Sequence, residues 1–228
     1  MNLYQYTAFV PHDAMLIWNG FLWTFGIFAS STVLGSLLGF LLALLLHARV
    51  PILAWLVAGF VELFRNSPLL VQLFLVFYGL PVVTSFSPSA TEAAILTMTV
   101  NTAAFMVVIV VAALDAVPRG QWHAAISSGM GYPQVMRLVV LPQAVRTVIP
   151  PAIVLAVGQL QTSSLVSIIG VNELARAGTI LNNRTLRPFI VWPVIGLIYF
   201  VMAKLLSHFA ARVERRVRAR ITWFAPAT

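Results

Sequence analysis

The side chains able to do chemistry are sparse in this chain, and most of them stand alone. Its four histidines, His12, His47, His123 and His208, are scattered over different stretches, so the convergent nucleophile and base, or metal site, that an intramembrane enzyme needs is not visible. Each reads as a surface or interfacial histidine. There is no cysteine, which removes disulfides, thiol catalysis and cysteine-ligated metals and leaves the redox compartment open. No GxxxxGK[ST] loop offers to cradle nucleotide phosphates, and the one lysine, Lys204, lies inside an apolar run. What remains is a set of amides and hydroxyls within apolar stretches: Asn101 and Thr102 in one, and Gln159, Gln161, Thr162, Ser163 and Ser164 in another. Such groups bond helices to one another in hydrocarbon or line a path for a solute. Both readings stand.

The elements that must position these groups are membrane helices. The chain is 60% hydrophobic and 9% charged, with a mean hydropathy of +0.94, far outside the range of a soluble domain. Its net charge of +8 comes almost wholly from arginines at the ends of apolar runs, a placement that fits positive-inside topology better than a nucleic-acid surface. The expected class is a single all-α transmembrane domain over 1–228. Its five spans lie at about 17–46, 57–80, 92–114, 150–170 and 189–211. The opening MNLYQYTAFVPHD lacks a basic start and a cleavage pattern, so the first span is expected to stay in the mature chain.

Details along the chain add constraints. Gly35 and Gly39 form a GxxxG spacing on the first span, expected to pack against another helix. Glu62, Arg65, Asn66 and Pro68 interrupt the second apolar stretch, and Arg65 is expected at the cytoplasmic interface with Glu62, one turn away, as its partner. Asn101, Phe105, Val108 and Ala112 share a face of the third span. Five spans with the C-terminus inside put the N-terminus outside. Arg49, Arg119, Arg137, Arg146, Arg212, Arg215, Arg216, Arg218 and Arg220 then lie inside, against Arg176, Arg184 and Arg187 outside, as the positive-inside rule requires.

The interval from Pro118 to Pro151 stands apart, since polar and charged residues recur through it between two apolar runs. A loop this long needs a job. It reads as helix, break, helix over about 118–142: Ala124 and Ala125 lead to Gly129 and Gly131, and Pro133 opens a second helix. The topology places it in the cytoplasm, where a soluble partner could dock.

Four segments carry a resemblance that spans nearly the whole chain: ELFRNSPLLVQLFLVFYGLP at Glu62 to Pro81, VPRGQWHAAISSGMG at Val117 to Gly131, LPQAVRTVIPP at Leu141 to Pro151 and TSSLVSIIGVNEL at Thr162 to Leu174. In these the chain resembles the permease subunits of type I ABC importers, in particular the polar amino acid uptake family. The resemblance implies import of a polar amino acid, or a close analogue, into a bacterial cell across its inner (cytoplasmic) membrane by alternating access, with two bundles rocking about a midplane site. It implies that His123, Ala124, Ala125, Gly129, Met130, Gly131 and Tyr132 form the coupling element that inserts into the ATPase. It also implies that Asn101, Gln159, Gln161 and Thr162 are candidates for the solute path.

The implied partners are an ABC ATPase dimer, which holds ATP and Mg, a second permease subunit that is a related non-identical chain, an extracytoplasmic solute-binding protein, and membrane lipid. No cofactor, metal, nucleic acid or catalytic residue is expected in this chain. The chain departs from the family in three places. His123 stands where the family usually has a glutamate, Val108 and Val111 where it often has a glutamate and an arginine, and Gln161 and Thr162 where it often has a lysine and an aspartate. The competing class, a secondary transporter or facilitator working without an ATPase, wants ionisable coupling residues inside its spans, and spans three and four offer amides and hydroxyls instead.

Overall fold

The computed structural model describes residues 9–47 and 51–219. The opening stretch 1–8, and Arg49 and Arg220 of the arginine tally, lie outside the described residues. Every regular element among the described residues is helical.

Helix α1 (Pro11–His47) is 37 residues long and starts earlier than position 17. Pro11 opens it, and Asp13 in the first turn accepts from the Val10 backbone N–H at 2.9 Å. Trp18, Leu22, Phe25, Val33, Leu37 and Leu41 are exposed, whereas Gly20, Thr24, Ser31, Gly35, Gly39 and Ala43 are buried. This arrangement suits lipid as the solvent: apolar bulk faces outward and small residues let backbones approach inside. A Cβ added at Gly35 would lie 2.5 Å from Thr102 Cβ, and one at Gly39 would lie 2.6 Å from the Ala103 carbonyl oxygen. The GxxxG spacing thus seats α1 on α4 (Ala90–Asp115), and the order of these contacts makes the two helices parallel. Ser89 and Glu92 start α4 with a reciprocal capping box.

The expected second span at 57–80 is instead two helices, α2 (Pro51–Arg65) and α3 (Leu69–Val83), bent by 105°. Pro68 forces the break, because it has no N–H to continue α2 and its backbone at φ −62°, ψ 134° is extended.

Prolines do not stop the later helices. Pro81 and Pro142 each follow a π turn, in which the Leu80 N–H bonds the Leu75 carbonyl and the Leu141 N–H bonds the Met136 carbonyl. The wider turn makes room for a ring that would collide with the carbonyl four residues back. Helix α6 (Tyr132–Ile169) therefore runs through Pro142, Pro150 and Pro151 and tightens into a 3₁₀ turn at its end. This corrects the expected boundaries. The interval at 118–142 holds one short helix, α5 (Arg119–Ser127), then a turn at Gly129, and its second half is already the start of α6 rather than a separate element.

Helix α7 (Leu174–Thr185) follows α6 and buries Leu174, Ala177 and Leu181. Glu173, fully buried, caps its first turn through the backbone N–H groups of Ala175 and Arg176 and also accepts from Tyr199 Oη at 2.6 Å on α8 (Pro188–Ala219). Arg184 of α7 pairs with Asp13 of α1. Among the described residues, four helices are long and apolar enough to cross a membrane, or five spans if α2 and α3 together make one.

Candidate functional site

The α2–α3 break does not lie at an end of the bundle. Asn101 stands ~16 Å along the 26-residue α4 at a rise of about 1.5 Å per residue, and its Nδ2 donates to the Phe64 carbonyl at 3.3 Å. The break is therefore level with the middle of α4. Apolar clusters close it on both sides, with Ala43, Met106 and Val110 packed toward α5 and Ile27, Ala94 and Met98 toward the opposite end.

Breaking a helix strands its last carbonyls, and inside a bundle each must find a donor. Here side chains supply them. The Glu62 carbonyl keeps the Asn66 backbone N–H at 3.3 Å, Ser67 Oγ donates to the Leu63 carbonyl at 2.7 Å, and Gln72 Nε2 donates to the Phe64 carbonyl at 2.8 Å. Gln72 Nε2 also lies 2.9 Å from Ser67 Oγ. The chain of amides continues inward: Asn101 Nδ2 donates to Gln72 Oε1 at 3.3 Å and Gln159 Nε2 donates to Asn101 Oδ1 at 3.2 Å. Three helices are thus tied together at one level by side chains that are all buried. Gln159 Oε1, at the end of this chain, has no partner among the described residues, which for a sequestered acceptor costs about 1–3 kcal/mol.

Beside the network is a cavity of about 290 Å³ lined by Arg65, Ser67, Asn101, Phe105, Gln159 and Thr162, among others. Of the residues proposed from sequence for a solute path, Asn101, Gln159 and Thr162 lie on this wall. Gln161 is exposed and is not on the wall. Thr162 turns its hydroxyl onto its own helix, bonding the Gly158 carbonyl at 3.0 Å. Gln72 was missed, although an amide one turn after a proline break is a natural donor for the carbonyls that the break strands.

The expected Arg65–Glu62 pair is not formed. Glu62 Oε2 accepts from Asn66 Nδ2 at 2.6 Å, and Arg65 makes no ion pair among the described residues. Asn66 still follows the helical course, its backbone N–H bonded to the Glu62 carbonyl, so its side chain lies one turn from the carboxylate at i+4 and takes it. Arg65 stands on the cavity wall.

The other candidate residues gather around α5. His123, Ala124, Gly129, Gly131 and Tyr132 are exposed, and Met130 is half-buried. Ala125 turns inward at 7% exposure, joining Val135 and Val140 in the core. Gly129 has φ +80°, a left-handed conformation that a residue with a Cβ adopts at a cost. The Gly131 backbone N–H is held by Gln134 Oε1 at 3.1 Å. His123 shares a cavity of about 750 Å³ with His47, Asp115, Arg119, Trp122 and Tyr132. An acidic neighbour that the sequence did not reveal, Asp115, therefore faces the same space as both histidines. The Trp122 ring lies 5.8 Å from His47 and 6.2 Å from Tyr132, which joins α5 to the end of α1 and the start of α6.

Comparison with known proteins agrees with this architecture. The sequence pattern of the family described as "Binding-protein-dependent transport system inner membrane component" matches residues 35–219. The chain is 32% identical to the probable glutamine ABC transporter permease protein GlnP of Bacillus subtilis, covering 92% of this chain and 97% of that one. It is 30% identical to the arginine transport system permease protein ArtQ of the same organism, over 96% and 99% of the two chains. A solved amino acid ABC transporter, described with histidines, superposes with a TM-score of 0.84 at 31% identity, covering 89% of this chain and 94% of that chain. The inward-facing MetNI methionine ABC transporter superposes at 0.77 with 22% identity, covering 92% and 99%, a likeness of fold.

Proposed function

Because the chain belongs to the family of binding-protein-dependent transport system inner membrane components, and so is a non-catalytic permease subunit of an ABC importer, we propose that its solute path runs through the cavity at the α2–α3 break and that the solute is a polar amino acid. The observation that carries this reading is the Gln72–Asn101–Gln159 network, which holds a broken helix open beside a cavity midway along α4 whose largely apolar wall carries Arg65, Asn101 and Gln159. Transporters of other folds place their solutes in the same way, at interrupted helices near the bilayer midplane. Relatives named for glutamine and arginine transport support the amino acid assignment.

The family requires an ATPase and a solute-binding protein as separate partners. The ATPase, a dimer that binds ATP and Mg, docks on the exposed face of α5 and the turn after it: His123, Ala124, Gly129, Gly131 and Tyr132 carry that face, with Met130 at its edge, and Ala125 supports it from within. Five spans cross the bacterial inner membrane, α2 and α3 counting as one, with α5 and the C-terminus in the cytoplasm and α7 outside. The parallel run of α1 and α4 supports that order. A second permease subunit completes the path. The described wall of the cavity carries a cation and no carboxylate, which supports a related, non-identical chain as the source of an acidic group, and lipid surrounds the exposed apolar faces.

The experiment is solute uptake per ATP hydrolysed by the full complex in proteoliposomes. Asn101→Leu should lower it at least tenfold, whereas Gln161→Ala, off the wall, should leave it within twofold of wild type. Equal effects of the two, or no effect of Asn101→Leu, would refute the path.

A further inference from the structure

We propose that Arg65 reads the carboxylate of the transported solute, an inference that rests on the cavity being the solute path. Three observations point to it. Arg65, whose side chain is exposed, lies on the wall of the 290 Å³ cavity, level with the middle of α4, where it is open to a solute in the cavity.

Its ordinary structural duties are already taken. A basic residue in the last turn of a helix commonly serves the free carbonyls and the negative end of the dipole. Here Asn66, Ser67, Gln72 and Asn101 occupy the carbonyls of Glu62, Leu63 and Phe64. The nearest carboxylate, Glu62, is engaged by Asn66. The guanidinium has no ion pair among the described residues, and its planar fork matches a carboxylate in two parallel bonds.

The wall also holds a complementary group. Gln159 is 4% exposed and its Oε1 is unpartnered, so a donor on the solute, such as an ammonium, satisfies an acceptor that the protein leaves open. Helix α3, whose first residue Leu69 also lines the cavity, has Pro68 at its N-cap and no side chain capping its first turn, which adds positive potential there. The solute class that fits is a carboxylate-bearing amino acid without a cationic side chain, since Arg65 repels a second positive charge and the described wall has no acid to offset it.

The test measures binding of radiolabelled L-glutamine, L-glutamate and L-arginine, and of an amine lacking the carboxylate, to the purified permease–ATPase complex without the binding protein. Wild type should retain glutamine or glutamate and not the decarboxylated amine. Arg65→Gln should weaken that binding at least tenfold, Arg65→Lys no more than threefold, and Arg65→Glu should reverse the preference toward the amine. Retention of the amine by wild type overturns the proposal, as does wild-type binding in Arg65→Gln, or an equal loss in Arg65→Lys and Arg65→Gln. If Asn101→Leu abolishes binding while Arg65→Gln does not, the path stands and the carboxylate reading falls. If both bind as wild type, both fall.

Discussion

The α2–α3 break and the α5–α6 turn both interrupt helices, yet they are held in opposite ways. At the first, the backbone takes a conformation open to any residue, Gln72 of α3 and Asn101 of α4 donate to the stranded Phe64 carbonyl, and Gln159 of α6 braces Asn101. At the second, a glycine with φ +80° makes the turn and most of the surrounding surface is exposed. Most residues of the α2–α3 break, Glu62, Leu63, Arg65, Asn66 and Pro68, are exposed too, but the amides that meet its carbonyls are buried, so the first break is held by protein donors and the second by a glycine. A third interruption, between α6 and α7, combines the two devices. Gly170 has φ +93°, and buried Glu173 takes the first N–H groups of the next helix.

The comparison can be broken most directly at Gln72. Gln72→Leu leaves the Ser67 groups and one Asn101 donor without their partner, with about 1–3 kcal/mol for each group left unsatisfied. We expect a loss of roughly 2–4 kcal/mol in unfolding measured in detergent. Stability within about 0.5 kcal/mol of wild type would mean that the interior break is not held by its side chains.

At the surface turn the expected loss of stability is smaller. Gly129→Ala should cost about 1–2 kcal/mol through backbone strain alone, since a Cβ there meets nothing within 4 Å. Gly129→Glu carries the same strain and adds a charge to the face assigned to the ATPase, so it should uncouple uptake from ATP hydrolysis while Gly129→Ala does not. Equal coupling in the two variants would move the docking face elsewhere.

The smallest effect is a pH dependence at the third interruption. Burial pushes the Glu173 carboxyl above the ordinary glutamate range, and its hydrogen bonds from Tyr199, Ala175, Arg176 and Thr24 only partly draw it back. The folded chain therefore holds that proton more tightly than the unfolded chain, and stability falls as pH rises from the ordinary glutamate range through the raised value. Thermal unfolding between about pH 4 and about pH 8 should show this slope in wild type and a flatter one in Glu173→Gln. A steeper slope in the variant would reverse the sign of the argument.

The sequence by itself determined the class of solvent and the small-residue packing. Apolar runs set by lipid are readable one at a time, and Gly35 and Gly39 announced a close helix contact because spacing alone places them on one face. It also exposed Asn101 and Gln159, since an amide in an apolar run is conspicuous wherever it points. Tertiary structure alone decided their partners. Gln72 became a donor only once Pro68 had turned α3 back toward the stranded carbonyls, and Arg65 lost its expected partner because Asn66, four residues after Glu62, takes the carboxylate. That the helix opened at Pro133 runs on to Ile169 was hidden for a related reason. Whether a proline ends a helix depends on whether the turn before it can widen, and that is settled by the packing around Met136 and Val140, not by the proline.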